Sequence, residues 1–381
     1  MKNILVVYHS VVIDKDNYII KGGAEVYAWD LCKLLVDKGC NVSLLQFGKN
    51  KNHLIFDEVH IFTMRWRGRL ISRRPTSPIN KFLKNNNLKI DCIIFCSETA
   101  TVPILGYQTI LVQHGIGFDY RAQGKSSKLI GLFGRGKIGQ MAQRFEALKA
   151  AKLVDKIVAV DYVYPTWLMT FYPEWKNKVI TIPNFTYQLE IKPIERNKFT
   201  RIIFARRLVE RRGIRIFSEA IDLLMNSQDE FNFEFGIAGE GEYLNQLEEK
   251  YKEIPEVKIF KYDQKDSLTI HSKYDIAVVP SLASEGTSLS LLQAMAAQCV
   301  VITTGVGGTS NIIIDNYNGI ICAPTAIALA QAIKKLASNK DDSKRMARAG
   351  FETIKYGFSY SQWSQRWIHA LNINQGLKSD I

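Results

Sequence analysis

No stretch of the 381 residues stays apolar for the ~20 positions that a membrane-spanning helix needs, so a helical span is not expected. After Lys2 the chain enters Ile4-Leu5-Val6-Val7-Tyr8 at once, a strand-like run too short for a secretory leader, and a cytoplasmic protein is expected. Cysteines number only six and form no framework of spacings. Cys92 and Cys96 flank a strand-like run, while Cys299 and Cys322 lie in apolar strands, so buried free thiols are expected instead of disulfides. No Cys/His spacing suggests zinc, and no metal is expected. Internal repeats and low-complexity tracts are missing, which excludes a solenoid. Acids are missing from two long stretches, between Glu58 and Asp91 and between Asp119 and Glu146.

What is present in those stretches is positive charge. Residues 1–190 hold 26 Lys and Arg against 15 Asp and Glu, leaving only +2 of the net +13 for the rest of the chain. The first stretch sets Arg65, Arg67, Arg69, Arg73 and Arg74 among Trp66, Leu70 and Ile71, and the second carries Lys125 and Lys128. Mixed basic and apolar residues bind anionic membrane surfaces, at about 1 kcal/mol per Lys or Arg close to the lipid. A solvated face that maintains solubility has the same composition. Nucleic acid is not expected as a partner, because no recognition module is visible.

Apolar runs alternate with helical patterns along the whole chain, the signature of parallel α/β units. Strands are expected at 3–8, 42–47, 90–96, 108–113, 156–160 and 179–182, with helices at 23–38, 77–87, 137–152 and 162–171. Residues 183–198, with Pro183, Pro193 and mixed charges, read as a linker. A second series follows, with strands near 202–205, 232–238, 256–260, 275–279, 299–303 and 319–322 and helices near 214–226, 242–253, 288–297, 326–337, 343–353 and 360–372. The expected fold is α/β, with two Rossmann-like domains.

The stretch from Asp275 to Gly308 carries the strongest chemical signal. It reads as a buried strand, a turn with one carboxylate at Glu285, a helix, a second buried strand and the turn Gly305-Val306-Gly307-Gly308. A carboxylate at the C-terminal end of a parallel strand, beside a helix start with free N–H groups, sits where open α/β sheets bind ligands. Gln293 lies eight positions after Glu285, about two helical turns on, so both can face one crevice. With its Pro280-Ser281 turn, Glu285-Gly286 loop and Val306-Gly307-Gly308 turn, the segment resembles the nucleotide-sugar site of the family-4 retaining glycosyltransferases. It departs from that pattern at Gln293, where the family has a second Glu, at Thr287 and Ser288, where it has Phe and Gly, and at Asn311, where a further Glu is common.

The resemblance implies a GT-B architecture, in which the two Rossmann-like domains face each other across a cleft and the C-terminal helix crosses back to the N-terminal domain. Domains are expected at 1–185, joined by the helix at about 358–381, and at 199–357. Ile182-Pro183-Asn184 resembles the family's crossing between domains, with Phe185 in place of Gly. The resemblance also assigns roles. Glu285 would hold a donor-sugar hydroxyl, with Gly286, Thr287, Ser288 and Leu289 beside it. Gln293 would meet the ribose, an amide accepting one hydroxyl and donating to another where a carboxylate accepts two. Arg207 and Arg212 would neutralise the leaving diphosphate, which gains charge in the transition state. Gly22 and Gly23, opening a helix, would lie near the same diphosphate, their missing side chains permitting φ > 0 and close approach. His114 closes strand 108–113 and reads either as a structural residue or as a sugar-positioning one. Gly239 reads as a turn or a nucleotide contact, and Tyr262 would lie near the base. Gly239-Glu240-Gly241 is no dinucleotide fingerprint, since position 244 is Leu244.

The expectation is a retaining hexosyltransferase that moves a sugar from a nucleoside diphosphate, UDP first, to a lipid-linked or polysaccharide acceptor in cell-surface glycan synthesis. It would require no cofactor and would sit peripherally on the inner membrane face. The sequence leaves its oligomeric state open. The rivals are a nucleotide-sugar 2-epimerase and a non-catalytic partner subunit that keeps the fold.

Overall fold

A computed structural model describes residues 1–13, 18–19, 22–49, 51–65, 76–86, 88–117, 137–188, 200–227, 231–283 and 285–373. The chain forms two compact units. The first comprises Met1–His114, Gly136–Ile182 and Ser364–Ile381; the second comprises Pro183–Trp363 with Gly115–Arg135.

In the first unit the elements run β1 (Asn3–Val7), β2 (Val12–Ile13), β3 (Tyr18–Ile19), α1 (Gly23–Asp37), β4 (Asn41–Gly48), β5 (Asn52–Phe56) and β6 (Val59–Arg65). They continue as α2 (Thr76–Asn85), β7 (Cys92–Phe95), β8 (Gln108–Gln113), α3 (Lys137–Lys152), β9 (Lys156–Ala159), α4 (Val163–Phe171) and β10 (Val179–Thr181). Eight of the strands form one sheet in the order β10-β9-β8-β7-β1-β4-β6-β5. Strands covered by helices on both faces read as unbroken apolar runs, and Ile4–Val7, Cys92–Phe95 and Ile110–Val112 are buried throughout.

The sequence reading places no strand at 52–65, where the structure has the antiparallel hairpin β5–β6. Asp57 and Glu58 form its turn, both at positive φ (47° and 61°), as a type I′ turn requires. Asp-Glu lacks the glycine that marks such turns, and β5 is a half-exposed edge strand with little apolar contrast. Both signals that reveal a hairpin are therefore weak here.

The second unit runs β11 (Thr200–Ala205), α5 (Ile214–Met225), β12 (Phe233–Ala238), α6 (Leu244–Lys250), β13 (Val257–Phe260), α7 (Ser267–His271) and β14 (Ile276–Val279). After these come α8 (Leu289–Ala296), β15 (Val300–Thr304), β16 (Ile320–Cys322), α9 (Ala326–Ser338), α10 (Lys340–Gly357) and α11 (Tyr360–Ala370). Its six strands are all parallel, in the order β13-β12-β11-β14-β15-β16. That is the doubly wound order 3-2-1-4-5-6, whose direction reverses between β11 and β14. Two cores result. Ile202 and Phe204 of β11 pack with Phe217 of α5 and Ile333 of α9 on one face. Ile203 and Ala205 pack with Leu292 and Met295 of α8 on the other. Each fully buried side chain of this size contributes roughly 1.5–3 kcal/mol.

Helix α11 is divided between the units at Trp363 and Ser364. In the second unit, Trp363 packs on Phe185 with ring centroids 4.5 Å apart. In the first, Trp367 is fully buried and its Nε1–H donates to the Tyr27 hydroxyl at 3.0 Å. Lys2 Nζ donates to the Leu371 carbonyl. All six cysteines are free, and five of them are buried. Among the described residues no helix is long and apolar enough to cross a membrane.

Candidate functional site

The reversal point of a doubly wound sheet leaves a crevice beyond the carboxyl ends of its two central strands. In the second unit these strands are β11 and β14. The chain leaving β11 carries Arg206, and the chain leaving β14 carries Ser281 and Glu285. These residues meet: Arg206 Nη1 donates to Ser281 Oγ at 2.8 Å, and Arg206 Nη2 pairs with Glu285 Oε1 at 2.6 Å. Arg206 is 8% exposed and Glu285 5%. Arg212, from the 3-10 turn Glu210–Arg212, pairs with the other carboxylate oxygen, Oε2. One buried carboxylate thus lies between two guanidinium groups.

Glycines fix the backbone around this triad. Gly307 has φ +56°, and a Cβ there would overlap the Glu285 carbonyl oxygen. The amide of Gly308 donates to that same oxygen at 2.7 Å. The Val-Gly-Gly turn therefore clamps the backbone that presents Glu285. At Gly239, with φ +143°, a Cβ would overlap the Arg206 carbonyl oxygen, so this turn holds Arg206 in the same way. That is a structural reason for Gly239 independent of any nucleotide.

The electrostatics are strongly positive. Burial lowers the Arg206 guanidinium to about 10, still charged at neutral pH. Burial, followed by the charges of Arg206, Arg211 and Arg207, pushes Arg212 down from its ordinary value. Arg207, the expected cation, is exposed, while its neighbour Arg206 takes the inward place on Glu285. The Arg206 Nε–H is buried without a partner among the described residues.

Beside the triad, Gln293 on α8 accepts a hydrogen bond from Ser267 Oγ at 2.8 Å. Its carbonyl oxygen is thereby engaged within the protein. Tyr262, just past β13, is half-buried, and burial raises its hydroxyl pKa. Gly286 is half-buried, Thr287 and Ser288 are buried, and Ser288 precedes Leu289, the first residue of α8. Asn184 Nδ2 donates to the Thr287 carbonyl at 2.7 Å, tying residues just past Pro183 to the Glu285 loop. Asn311 is exposed.

The first unit presents its own polar group at the carboxyl ends of β1, β7 and β8. His114 follows β8, edge-on to the Tyr27 ring at 5.1 Å. Its Nε2 is buried without a partner among the described residues, and burial brings its pKa down to about 4, so it is neutral at pH 7. Gly22 precedes α1 with φ −138°, an extended value open to any residue, and a Cβ there would meet only the flexible end of the Glu25 side chain. Gly23 begins the helix. Arg65 ends β6 and is exposed. Trp66, Arg67, Arg69, Arg73, Arg74, Lys125 and Lys128 lie outside the described residues.

Ser267 escapes the sequence reading, which quotes Ser281 and Asn184 only as motif positions and gives Arg206 no role beside Arg207. Both faces of β11 are buried, so alternation does not tell whether Arg206 or Arg207 turns inward. Only the pairing of β11 with β14 brings Ser281 opposite Arg206.

Residues 188–353 match the model of the family Glycosyl transferases group 1. The chain is 26% identical over 147 residues to an uncharacterized glycosyltransferase of Methanocaldococcus jannaschii, a match covering 38% of this chain and 42% of that one. It spans less than half the length of the curated relatives it matches. Among solved structures, sucrose-phosphate synthase of Thermosynechococcus elongatus superposes with a TM-score of 0.75 at 15% identity, covering 98% of both chains. Anabaena HepE in complex with UDP-glucose gives 0.70 at 16% identity, covering 98% of this chain and 100% of that one. Residues 188–353 thus match the group 1 glycosyl transferase family, and the chain as a whole has the fold of the two-domain GT-B glycosyltransferases.

Proposed function

We propose that this protein is a retaining glycosyltransferase that moves a hexose from a nucleoside diphosphate, UDP first, to an acceptor hydroxyl. The observation that carries the reading is the Arg206–Glu285–Arg212 triad at the β11/β14 reversal point, inside the stretch that matches the family model. A nucleotide sugar needs cations for its diphosphate and a fixed acceptor for its hydroxyls, and this crevice holds both. Binding of UDP-glucose by a protein of the same fold, Anabaena HepE, agrees with it.

In this reading the bond from the anomeric carbon to the diphosphate oxygen breaks as the acceptor oxygen attacks on the same face. The departing phosphate oxygen takes the acceptor proton. Arg212 and Arg207 stabilise the charge that develops on the diphosphate, and Glu285 orients the sugar. Neutral His114 offers a hydrogen bond and no charge. The first unit would hold the acceptor. Its basic stretches suit a lipid-linked glycan at an anionic membrane surface, which would place the enzyme at the inner face in cell-surface glycan synthesis.

A thermal-shift and hydrolysis screen against UDP-, GDP- and TDP-sugars tests the reading. At least one nucleotide sugar should raise the melting temperature and be slowly hydrolysed; if none shifts it, the assignment fails. Gln293, whose oxygen already accepts from Ser267, favours the second reading, a non-catalytic subunit. That reading predicts binding without any hydrolysis or transfer.

A further inference from the structure

We propose that Arg206 is a positioning residue for Glu285, and that Arg212 is the exchangeable partner that leaves the same carboxylate when a diphosphate arrives. The inference rests on the nucleotide-sugar reading above and assigns the order in which that site engages its ligand.

The two arginines are held very differently. Arg206 is anchored at both ends. Its backbone amide donates to the Ala238 carbonyl, and its guanidinium is forked between Ser281 Oγ and Glu285 Oε1. Ser281 is in turn fixed, its carbonyl accepting from Thr304 Oγ1. The Gly239 turn closes on the Arg206 backbone. Nothing in this arrangement leaves Arg206 free to move.

Arg212 comes from a three-residue 3-10 turn, and its side chain is 17% exposed against 6% for Arg206. Its surroundings are crowded with like charge from Arg206, Arg211 and Arg207. A dianionic diphosphate relieves that crowding more than the single charge of Glu285 can, since Glu285 is already shared with Arg206. Arg212 is therefore the cation that transfers. Its departure frees Glu285 Oε2 to accept a donor-sugar hydroxyl, while Arg206 keeps Oε1 and the carboxylate's charge in place. Without Arg206 the carboxylate would be buried near a dianion with no fixed cation, and would take up a proton more readily.

The groups facing the carboxylate are Arg206 after β11 and Arg212 from its turn. Tyr262 past β13 faces Arg206, and Arg207 and Arg211 act on Arg212. Removing Arg206 takes away the fixed cation that favours the ionised carboxylate, so activity that needs the carboxylate should be lost at a higher pH as pH falls.

The test measures UDP and UDP-glucose affinity by calorimetry, and UDP-glucose hydrolysis against pH. It compares the wild type with Arg206→Met, Arg206→Lys, Glu285→Gln and the Arg206→Met/Glu285→Gln double variant. In Arg206→Met, UDP affinity should stay within about threefold. The affinity gain of UDP-glucose over UDP should disappear, hydrolysis should fall at least tenfold, and the acid limb should move to higher pH. Arg206→Lys should restore the acid limb and only part of the rate, because ammonium keeps the charge and loses the fork. In the Glu285→Gln background, Arg206→Met should add little. Equal losses for UDP and UDP-glucose, an unmoved acid limb, or additive effects in the double variant would overturn the proposal. If Arg206→Met does not fold, Arg206→Lys carries the same comparison, and wild-type behaviour in both rate and UDP-glucose selectivity would overturn it. A wild-type protein that binds no nucleoside diphosphate overturns the functional reading as well; one that binds UDP-glucose normally while the Arg206 variants match it overturns this inference alone.

Discussion

Glu285 is the structural counter-ion of two guanidinium groups, and in the proposed function it is the ligand-facing carboxylate as well. Breaking a buried ion pair from one side is costly because it strands the other charge. Glu285→Ala leaves Arg206 buried without its anion and should lower unfolding free energy by about 3–5 kcal/mol. Urea denaturation checks this, and Glu285→Gln, which keeps an acceptor for the guanidinium, should lose clearly less. A second residue-scale effect comes from histidines. Burial holds both His114 and His271 near pKa 4, below the ordinary 6.5. The unfolded chain therefore binds more protons between those values, and stability must fall as pH drops from about 6.5 towards 4. His271 Nδ1 bonds the Ser267 carbonyl at 2.8 Å, a contact that Asn can replace without titrating. His271→Asn should flatten the dependence of melting temperature on pH across that window; an unchanged slope would assign the effect elsewhere. The sequence reading singles out Glu285 by its turn and Arg212, which the structure pairs with it, by its resemblance to a family motif. It misses Arg206 because inwardness is a property of strand pairing, and two adjacent arginines look alike until β14 is laid beside β11.

At the scale of elements, the site is held by turns more than by helices. The clamp of Gly307 on the Glu285 backbone makes a single methyl group disruptive. Gly307→Ala combines a left-handed backbone with an overlap on the Glu285 carbonyl, and should destabilise by at least ~2 kcal/mol while lowering donor hydrolysis at least tenfold. Calorimetric melting with a hydrolysis assay measures both. Wild-type values would mean that the turn relaxes and does not hold Glu285. The strands of both central sheets were legible because buried parallel strands are written as continuous Val, Ile and Leu runs between turn signals. The short hairpin β2–β3, the exposed edge strand β5 and the five-residue α7 left too little pattern to read, while β6 does alternate between buried and more exposed residues and is simply missed by the sequence reading.

For the molecule as a whole, the uneven charge remains the feature that the proposed donor chemistry does not use. If the basic stretches of the first 190 residues serve a membrane, the protein should bind anionic vesicles and release them as salt rises, since the Debye length shrinks from ~10 Å at 0.1 M to ~3 Å at 1 M. Changing Arg65, Arg67, Arg69, Arg73 and Arg74 to Ser should weaken vesicle binding by several kcal/mol at low salt, at about 1 kcal/mol per residue. Donor hydrolysis in solution should be unaffected. Equal binding to neutral and anionic vesicles, or to neither, would leave the charge as a solubility feature. Charge asymmetry is plain in a sequence because it needs only counting, whereas the face on which those charges gather depends on the fold.

The sharing of α11 between the units also has a consequence for how the protein is made. The second unit draws its whole six-stranded sheet from within Pro183–Trp363, but the first needs Trp367 against Tyr27 and the Leu371 carbonyl against Lys2. Those contacts join residues separated by 340 and 369 positions. At translation rates of about 5–20 residues per second, Lys2 waits roughly 20–70 s for its partner to leave the ribosome. The second unit can assemble its sheet during that interval. The half of the molecule that is synthesised first is therefore the half that finishes folding last, and until then it carries an open place where Trp367 belongs.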